Sequence, residues 1–242
     1  PRTYAREELL HELILACGAA LSYALPIGLP IAALLAIVVT SYRQTVAAYP
    51  QGGGAYVVAR DNLGQTSALV AAAALLTDYV LTVSVSVAAG IAAVTSAFPR
   101  FLPYRILLCV LGVAAITLGN LRGLRESGRL FAAPTYFFVA GILAMIGYGG
   151  IAAWFDLLPE APYAPHPPGL EGIGLFLLLR SFAAGCTALT GVEAVSNGVP
   201  VLRAPEGRNA QTVMTWLGAL SIVMFLGITY LAYDFGIVPG EG

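Results

Sequence analysis

The sequence predicts an all-α membrane protein, and two observations lead to that prediction. Of the 242 residues, 58% are hydrophobic and only 10% are charged, whereas soluble domains carry about 25% charged residues. The apolar residues fall in runs of about 20, the length that a helix needs to cross the hydrocarbon core of a bilayer. Since so little charge cannot cover a water-facing surface, we expect the lipid bilayer to be the main partner of the chain.

Seven apolar runs are candidate membrane spans, and each must be helical because lipid offers no partner for unpaired backbone groups. In chain order the predicted spans are Tyr4–Ser22, Pro26–Val46, Ser67–Phe98, Tyr104–Asn120, Leu130–Phe155, Gly172–Leu202 and Ala210–Tyr233. Both ends of the chain look cut. We therefore expect 1–242 to be a single transmembrane domain that is a fragment of a longer protein, covering about helices one to seven.

Charge in the links predicts how the bundle is oriented. Arginines gather in the links after spans two, four and six: Arg43, Arg60, Arg122, Arg125, Arg129, Arg203 and Arg208. The opposite side has two arginines and otherwise acids: Arg100, Arg105, Asp156, Glu160, Glu171 and Asp234. By the positive-inside rule, the first set of links faces the cytoplasm. The net charge of −1 gives no reason to expect a nucleic-acid partner.

Several kinds of active site are absent from the sequence. The three cysteines lie far apart in apolar runs, and no Ser/His/Asp or Cys/His set offers a nucleophile with its base. The run at 50–56, PQGGGAY, lacks the Lys-Ser/Thr and the preceding strand of a phosphate-binding loop. We interpret it as a tight link that lets helices approach closely. The sequence thus predicts neither enzymatic activity nor a resident cofactor.

Polar residues at membrane depth mark the first candidate site, because ionisable groups inside spans are costly and usually functional. In span three, Asp78, Tyr79, Thr82 and Ser86 fall within roughly one third of the helix circumference at about 100° per residue, and Ser84 points away. The alternative is that the hydroxyls only bond to carbonyls one turn earlier. That explains the alignment with a carboxylate less well.

Span six carries a second polar stripe and several helix-weakening residues. Thr190, Glu193 and Asn197 are three and four residues apart, so a helix would place them on one face. Gly185, Gly191, Gly198 and Pro200 interrupt that helix. Broken helices near the bilayer midplane are typical of substrate and ion sites in secondary transporters. The alternative is a kink that serves packing only.

Four separated runs resemble the amino acid–polyamine–organocation (APC) superfamily. They are SYRQTVAAYPQGGGAYVVARDNLG at 41–64, LLTDYVLTVSVSVAAG at 75–90, NLRGLRESG at 120–128 and GCTALTGVEAVSNGVP at 185–200. Within that superfamily they are most similar to potassium–proton symporters of the potassium-uptake-permease type. The resemblance implies the five-plus-five inverted-repeat (LeuT-like) fold, with a first repeat at about 1–156 and the start of a second at about 170–242. It also implies a multi-pass protein of the bacterial plasma membrane, and it allows a homodimer.

The resemblance also implies roles for individual residues. It assigns potassium contacts to Tyr4 in span one, to Tyr79, Thr82 and Ser86 in span three, and to Thr190 in span six. It places Glu193 beside the ion and the proton path, with Asp78 as a second buried acid. Potassium would then be the transported ligand, held by these same residues and carried in the same direction as a proton.

Two other functions stay open at the level of the sequence. Amino-acid and other organic-solute permeases of the same superfamily carry a similar glycine-plus-acid motif, so 191–193 does not discriminate between solutes. The hydroxyl row on span three favours a bare cation, since hard cations prefer several oxygen ligands. A membrane scaffold or sensor with a transporter-like fold needs no buried acids, and Asp78 and Glu193 therefore count against it.

Overall fold

The computed structural model describes residues 24–121, 124–155, 157 and 175–235, which are helical apart from short links. The helices are α1 (Ala24–Ala48), α2 (Gly54–Leu63), α3 (Gln65–Ala97), α4 (Arg105–Leu121), α5 (Leu124–Trp154), α6 (Leu175–Gly185), α7 (Val192–Asn197) and α8 (Glu206–Asp234). Short 3-10 turns lie at Pro99–Tyr104, Cys186–Leu189 and Val199–Val201.

Five helical stretches in the described part of the chain are long and apolar enough to cross a bilayer. They are Ala24–Ala48, Gln65–Ala97, Pro99–Leu121, Phe131–Trp154 and Glu206–Asp234. These stretches correspond to predicted spans two, three, four, five and seven, so the all-helical membrane architecture is confirmed. Predicted span one, Tyr4–Ser22, lies outside the described residues, as does the beginning of span six.

The sixth predicted span is broken, as the glycines indicate. Helix α6 ends at Gly185, a 3-10 turn follows, and Thr190 has an extended backbone with ψ of 146°. Gly191 then adopts a left-handed conformation with φ of 93°, and α7 begins at Val192. A side chain with a Cβ strains this conformation, which explains why glycine stands at the break.

Helix α2 is an element that the sequence analysis did not predict. The run at 50–56 was interpreted as a link, but Gly54–Leu63 is helical. The glycines before it have positive φ angles, 80° at Gly52 and 91° at Gly53. They do provide the close approach that was expected: a Cβ on Gly52 would lie 2.7 Å from Cδ of Pro200.

The core lies where α1 and α8 pack against each other along most of their lengths. Ile27, Ile31, Phe225 and Ala232 form one buried cluster between them. Gly218 allows a close crossing, since its Cα faces the Val39 side chain. Helices α6 and α7 lie against α1, and α7 also contacts α8. The broken span is therefore held by the most tightly packed pair of helices.

Helices α3, α4 and α5 present apolar side chains outward. In α3 only Ala68 and Thr95 are buried. Leu76 of α3 is 67% exposed, and Ile106 of α4 is 77% exposed. Water would disfavour such a surface, whereas lipid or further apolar helices suit it. These three helices thus form an outer layer beside the α1–α8 core.

The links after α1 and after α7 lie on one side of the bundle. A Cβ on Gly207 would lie 3.3 Å from Cβ of Pro50, and Gly52 lies against Pro200. These contacts bring the two links together, as the predicted orientation of the bundle requires. Their cytoplasmic location stays a prediction.

Candidate functional site

The polar face of α3 is intact in the structure. The helix runs without a break from Gln65 to Ala97, so Asp78, Tyr79, Thr82 and Ser86 share one face, and all four are half-buried. Ser84 is exposed. The shared face that the periodicity predicts is therefore present in the structure.

Hydrogen bonding separates the hydroxyls of α3 into two groups. Thr77 donates to the Ala73 carbonyl at 3.0 Å, and Ser84 donates to the Val80 carbonyl at 2.8 Å. Within the described residues, the hydroxyls of Thr82 and Ser86 make no hydrogen bond. The hydroxyls of Thr82 and Ser86 are thus uncommitted, while those of Thr77 and Ser84 are bonded to their own helix.

The second stripe differs from the prediction at Thr190. A continuous helix was expected to place Thr190 on one face with Glu193 and Asn197, but Thr190 precedes the helix α7 in an extended conformation. Its hydroxyl donates to the Thr187 carbonyl at 2.9 Å. The prediction of a shared helical face was wrong for Thr190, because Gly191 reverses the backbone between them.

The carboxylate of Glu193 accepts a hydrogen bond from the backbone at the break in span six. The Gly191 N–H lies 3.0 Å from one carboxylate oxygen of Glu193 and 3.1 Å from the other. This N–H lacks a helical partner because the chain is interrupted there. The break thus fixes the carboxylate at the start of α7 and leaves it half-buried.

A hydrogen bond joins the two stripes. Asn197, at the end of α7, donates from Nδ2 to the Tyr79 hydroxyl at 2.5 Å. Tyr79 also interacts electrostatically with Glu193 and with Asp78. The structure therefore brings Asp78, Tyr79, Glu193 and Asn197 together. Thr82 and Ser86 continue the same face of α3, about 4.5 and 10.5 Å along the axis from Tyr79 at 1.5 Å per residue.

Tyr42 joins this cluster, and the sequence analysis missed it. It lies on α1, packed beside clusters that include Val192 and Val199. Its hydroxyl interacts electrostatically with Glu193, Tyr79 and Asp78. The nearest signal in the sequence is a phenol within the polar run at the end of span two. Only the packing of α1 against α7 places that phenol at the site.

The cluster consists mainly of oxygen atoms. The phenols of Tyr42 and Tyr79 interact electrostatically with the carboxyl groups of Asp78 and Glu193, and the free hydroxyls of Thr82 and Ser86 lie further along the same face of α3. Such a set suits a cation that exchanges its hydration shell for protein oxygens. Tyr4, the remaining predicted contact, lies outside the described residues.

Comparison with known proteins agrees with this architecture. The family model described as amino acid permease matches residues 12–242. The chain is also 43% identical over 237 residues to the potassium transporter KimA of Bacillus subtilis (strain 168), a match that covers 98% of this chain. The chain spans 39% of the length of that relative. With five membrane-length helices in the described part of the chain, this is an integral, multi-pass membrane protein, and it belongs to the amino acid permease family of the APC superfamily.

Proposed function

We propose that the chain forms much of the ion pathway of a secondary potassium transporter in the bacterial plasma membrane. The observation that carries this proposal is the meeting of the α3 polar face with the broken span, where Tyr79 and Asn197 are hydrogen-bonded beside two carboxylates. The relative named as a potassium transporter shares nearly half of its residues with this chain over the matched length. The oxygen-rich meeting of the two elements and the name of this relative both favour potassium as the solute.

The proposed ligands are oxygens of the α3 face and of the break. Tyr79, Thr82 and Ser86 supply hydroxyls from α3, Thr190 supplies oxygen from the break, and Tyr4 completes the proposed set. Neutral oxygens can replace the hydration shell of a cation without binding it too tightly to leave. The free hydroxyls of Thr82 and Ser86 support this assignment.

Proton coupling is assigned to Asp78 and Glu193. A carboxylate beside a cation site can hold either the negative charge that attracts the ion or a proton that removes this charge. Symport results when the protein changes its access to the two sides only with the cation bound and one of these carboxyl groups protonated, so that both ions cross together. The position of Glu193 at the break, next to the electrostatic cluster around Tyr79, supports this role.

The same proposal includes an inverted repeat. In that fold, the broken span corresponds to span one, and α8 corresponds to α1. A helix near the pseudo-twofold axis packs against its own counterpart, and α1 does pack most extensively against α8. This contact supports the five-plus-five arrangement, of which 1–242 holds the first repeat and the start of the second.

A second candidate is transport of an amino acid. The description of the matching family favours it, and the glycine-plus-acid run at 191–193 is compatible with either solute. The oxygen-rich face of α3 provides ligands for a cation, so potassium is preferred.

Growth of a potassium-uptake-deficient bacterium distinguishes the two candidates. The full-length protein that contains this chain is expressed in such a strain, and growth is followed at micromolar potassium, with uptake of labelled amino acids measured in parallel. Rescue of growth without amino-acid uptake is the expected result. Amino-acid uptake without rescue would overturn the assignment of potassium and leave the membrane transporter fold intact.

A further inference from the structure

The glycine loop, defined as Gly52–Gly54, lies directly against the end of α7. A Cβ on Gly54 would collide with Oδ1 of Asn197 and lie 3.0 Å from its Cγ. A Cβ on Gly52 would lie 3.3 Å from the Asn197 carbonyl oxygen. No other residue type could keep the loop this close to Asn197, so the contact itself requires glycine.

Asn197 is therefore held at both ends of its carboxamide. The oxygen end faces the backbone of Gly54, and the nitrogen end donates to the Tyr79 hydroxyl at 2.5 Å. The carboxamide is planar, so any displacement of its oxygen also moves its nitrogen. A shift of the glycine loop would consequently be transmitted to Tyr79.

The hydrogen bond fixes the orientation of the Tyr79 phenol. Because Asn197 donates, one lone pair of the Tyr79 oxygen is occupied, and the second lone pair and the O–H have defined directions. An oxygen with a fixed orientation binds a cation with less loss of freedom than a rotating one. The bond also joins α3 to α7, which belong to different parts of the bundle.

We propose that Asn197 is a positioning residue that orients the Tyr79 hydroxyl for the cation, and that the glycine loop holds Asn197 in place. The link at the end of α1 then acts on cation affinity without touching the ion. This inference rests on the proposed function, because it takes Tyr79 as a cation ligand. A purely structural contact would instead affect stability, with no specific effect on how the ion is bound.

A double-mutant cycle tests the action of Asn197 through Tyr79. Rubidium uptake, as a tracer for potassium, is measured in the full-length protein with Asn197→Ala, Tyr79→Phe and the double variant. Removing the orienting hydrogen bond is expected to raise the KM for rubidium roughly three- to tenfold. Since both residues act through one oxygen, the double variant should resemble Tyr79→Phe alone, and rubidium-over-sodium selectivity should fall in all three.

A pair of glycine variants tests the role of the loop. Gly54→Ala introduces a Cβ that meets Asn197, whereas Gly64→Ala introduces a Cβ with no atom within 4 Å. Both positions have positive φ angles, 44° and 90°, so both variants carry backbone strain. Only Gly54→Ala should raise the KM and lower selectivity. Size-exclusion chromatography in detergent establishes that each variant is folded, and Asn197→Ser replaces Asn197→Ala if the latter is not.

The outcomes separate this inference from the proposed function. If Tyr79→Phe weakens rubidium uptake but Asn197→Ala matches the wild type, or if the two effects multiply independently, the positioning role is overturned and the potassium site stands. Equal effects of Gly54→Ala and Gly64→Ala would also remove the role of the loop. If the wild type takes up no rubidium, or if Tyr79→Phe has no effect, both the proposed site and the inference fail.

Discussion

On α3, the hydroxyls of Thr82 and Ser86 differ in hydrogen bonding from those of Thr77 and Ser84. Thr77 and Ser84 are exposed and bonded to their own helix, while Thr82 and Ser86 are half-buried and, in the described structure, unbonded. These two unbonded hydroxyls lie on the face that carries Asp78 and Tyr79, which supports their proposed role as cation ligands.

Glu193→Gln should remove the proton dependence of uptake. Glutamine keeps the shape of the side chain, and its carbonyl oxygen can still accept from the Gly191 N–H, but it cannot exchange a proton. In proteoliposomes with the full-length protein, wild-type rubidium uptake should rise as the external pH falls, and uptake by the variant should be insensitive to pH. Glu206→Gln, at the exposed start of α8, serves as the control. A variant that keeps the wild-type pH profile would exclude Glu193 from coupling.

The sequence alone predicts which polar residues share a face of α3, but it does not predict all of the residues from other helices that lie beside them. Helical periodicity places Asp78, Tyr79 and Thr82 on one face because a continuous helix has a fixed angle per residue. The same reasoning failed for Thr190, since one left-handed glycine changes the direction of the chain. Tyr42 could not be found from local sequence, because only tertiary packing brings α1 to the site.

Among the described helices, the broken span has an interrupted backbone that supports its proposed role in the site. Its two short helices, α6 and α7, are separated by a 3-10 turn, one extended residue and one left-handed glycine. The interruption exposes backbone groups that would otherwise be bonded within the helix, and Glu193 uses one of them. The backbone conformation at Gly191 thus determines where the carboxylate lies.

Substitution of Gly191 tests this conformation in isolation. No atom lies within 4 Å of a Cβ built there, so alanine would add backbone strain of roughly 1–2 kcal/mol without a clash. We expect Gly191→Ala to lower rubidium uptake per folded molecule, and Gly191→Asn to retain most of it because asparagine tolerates the left-handed region. Gly147→Ala in α5, which also meets no neighbour, is the control. Full activity of Gly191→Ala would show that the break does not depend on this conformation.

The long spans were predicted closely, and the short helix was not. Ser67–Phe98 was predicted and Gln65–Ala97 is observed, because a run of apolar residues near 20 long has few alternatives in lipid. Helix α2 was missed since its ten residues include Arg60, Asp61 and Asn62 and fall below that length. Its position depends on the glycine loop and on contacts with α3, which hydropathy does not report.

At the scale of the whole molecule, a tightly packed pair of helices supports a more exposed layer. Helices α1 and α8 hold the core, and α7 rests on both. Helices α3, α4 and α5 carry large exposed apolar side chains that suit lipid. The proposed site lies between these two parts, because Tyr79 belongs to the outer layer and Asn197 to the helix that rests on the core pair.

Gly218→Ala should destabilise the core pair. The added Cβ would lie 2.8 and 3.0 Å from the methyl groups of Val39, and overpacking of this kind costs about 1–3 kcal/mol. The thermal midpoint of the protein in detergent should fall. Gly141→Ala in α5 meets no atom within 4 Å and should leave the midpoint unchanged or raise it, since alanine favours the helix. Equal midpoints for the two variants would contradict the close α1–α8 crossing.

The most direct test of the potassium site is rubidium uptake by the purified full-length protein in proteoliposomes, compared for Thr82→Val and Thr77→Val. Both variants remove a hydroxyl from α3 and keep the shape of the side chain, but only Thr82 is unbonded on the polar face. The proposed site requires potassium-competed uptake by the wild type, a KM raised roughly tenfold in Thr82→Val, and no change in Thr77→Val. Absence of rubidium uptake, or equal behaviour of the two variants, would contradict it.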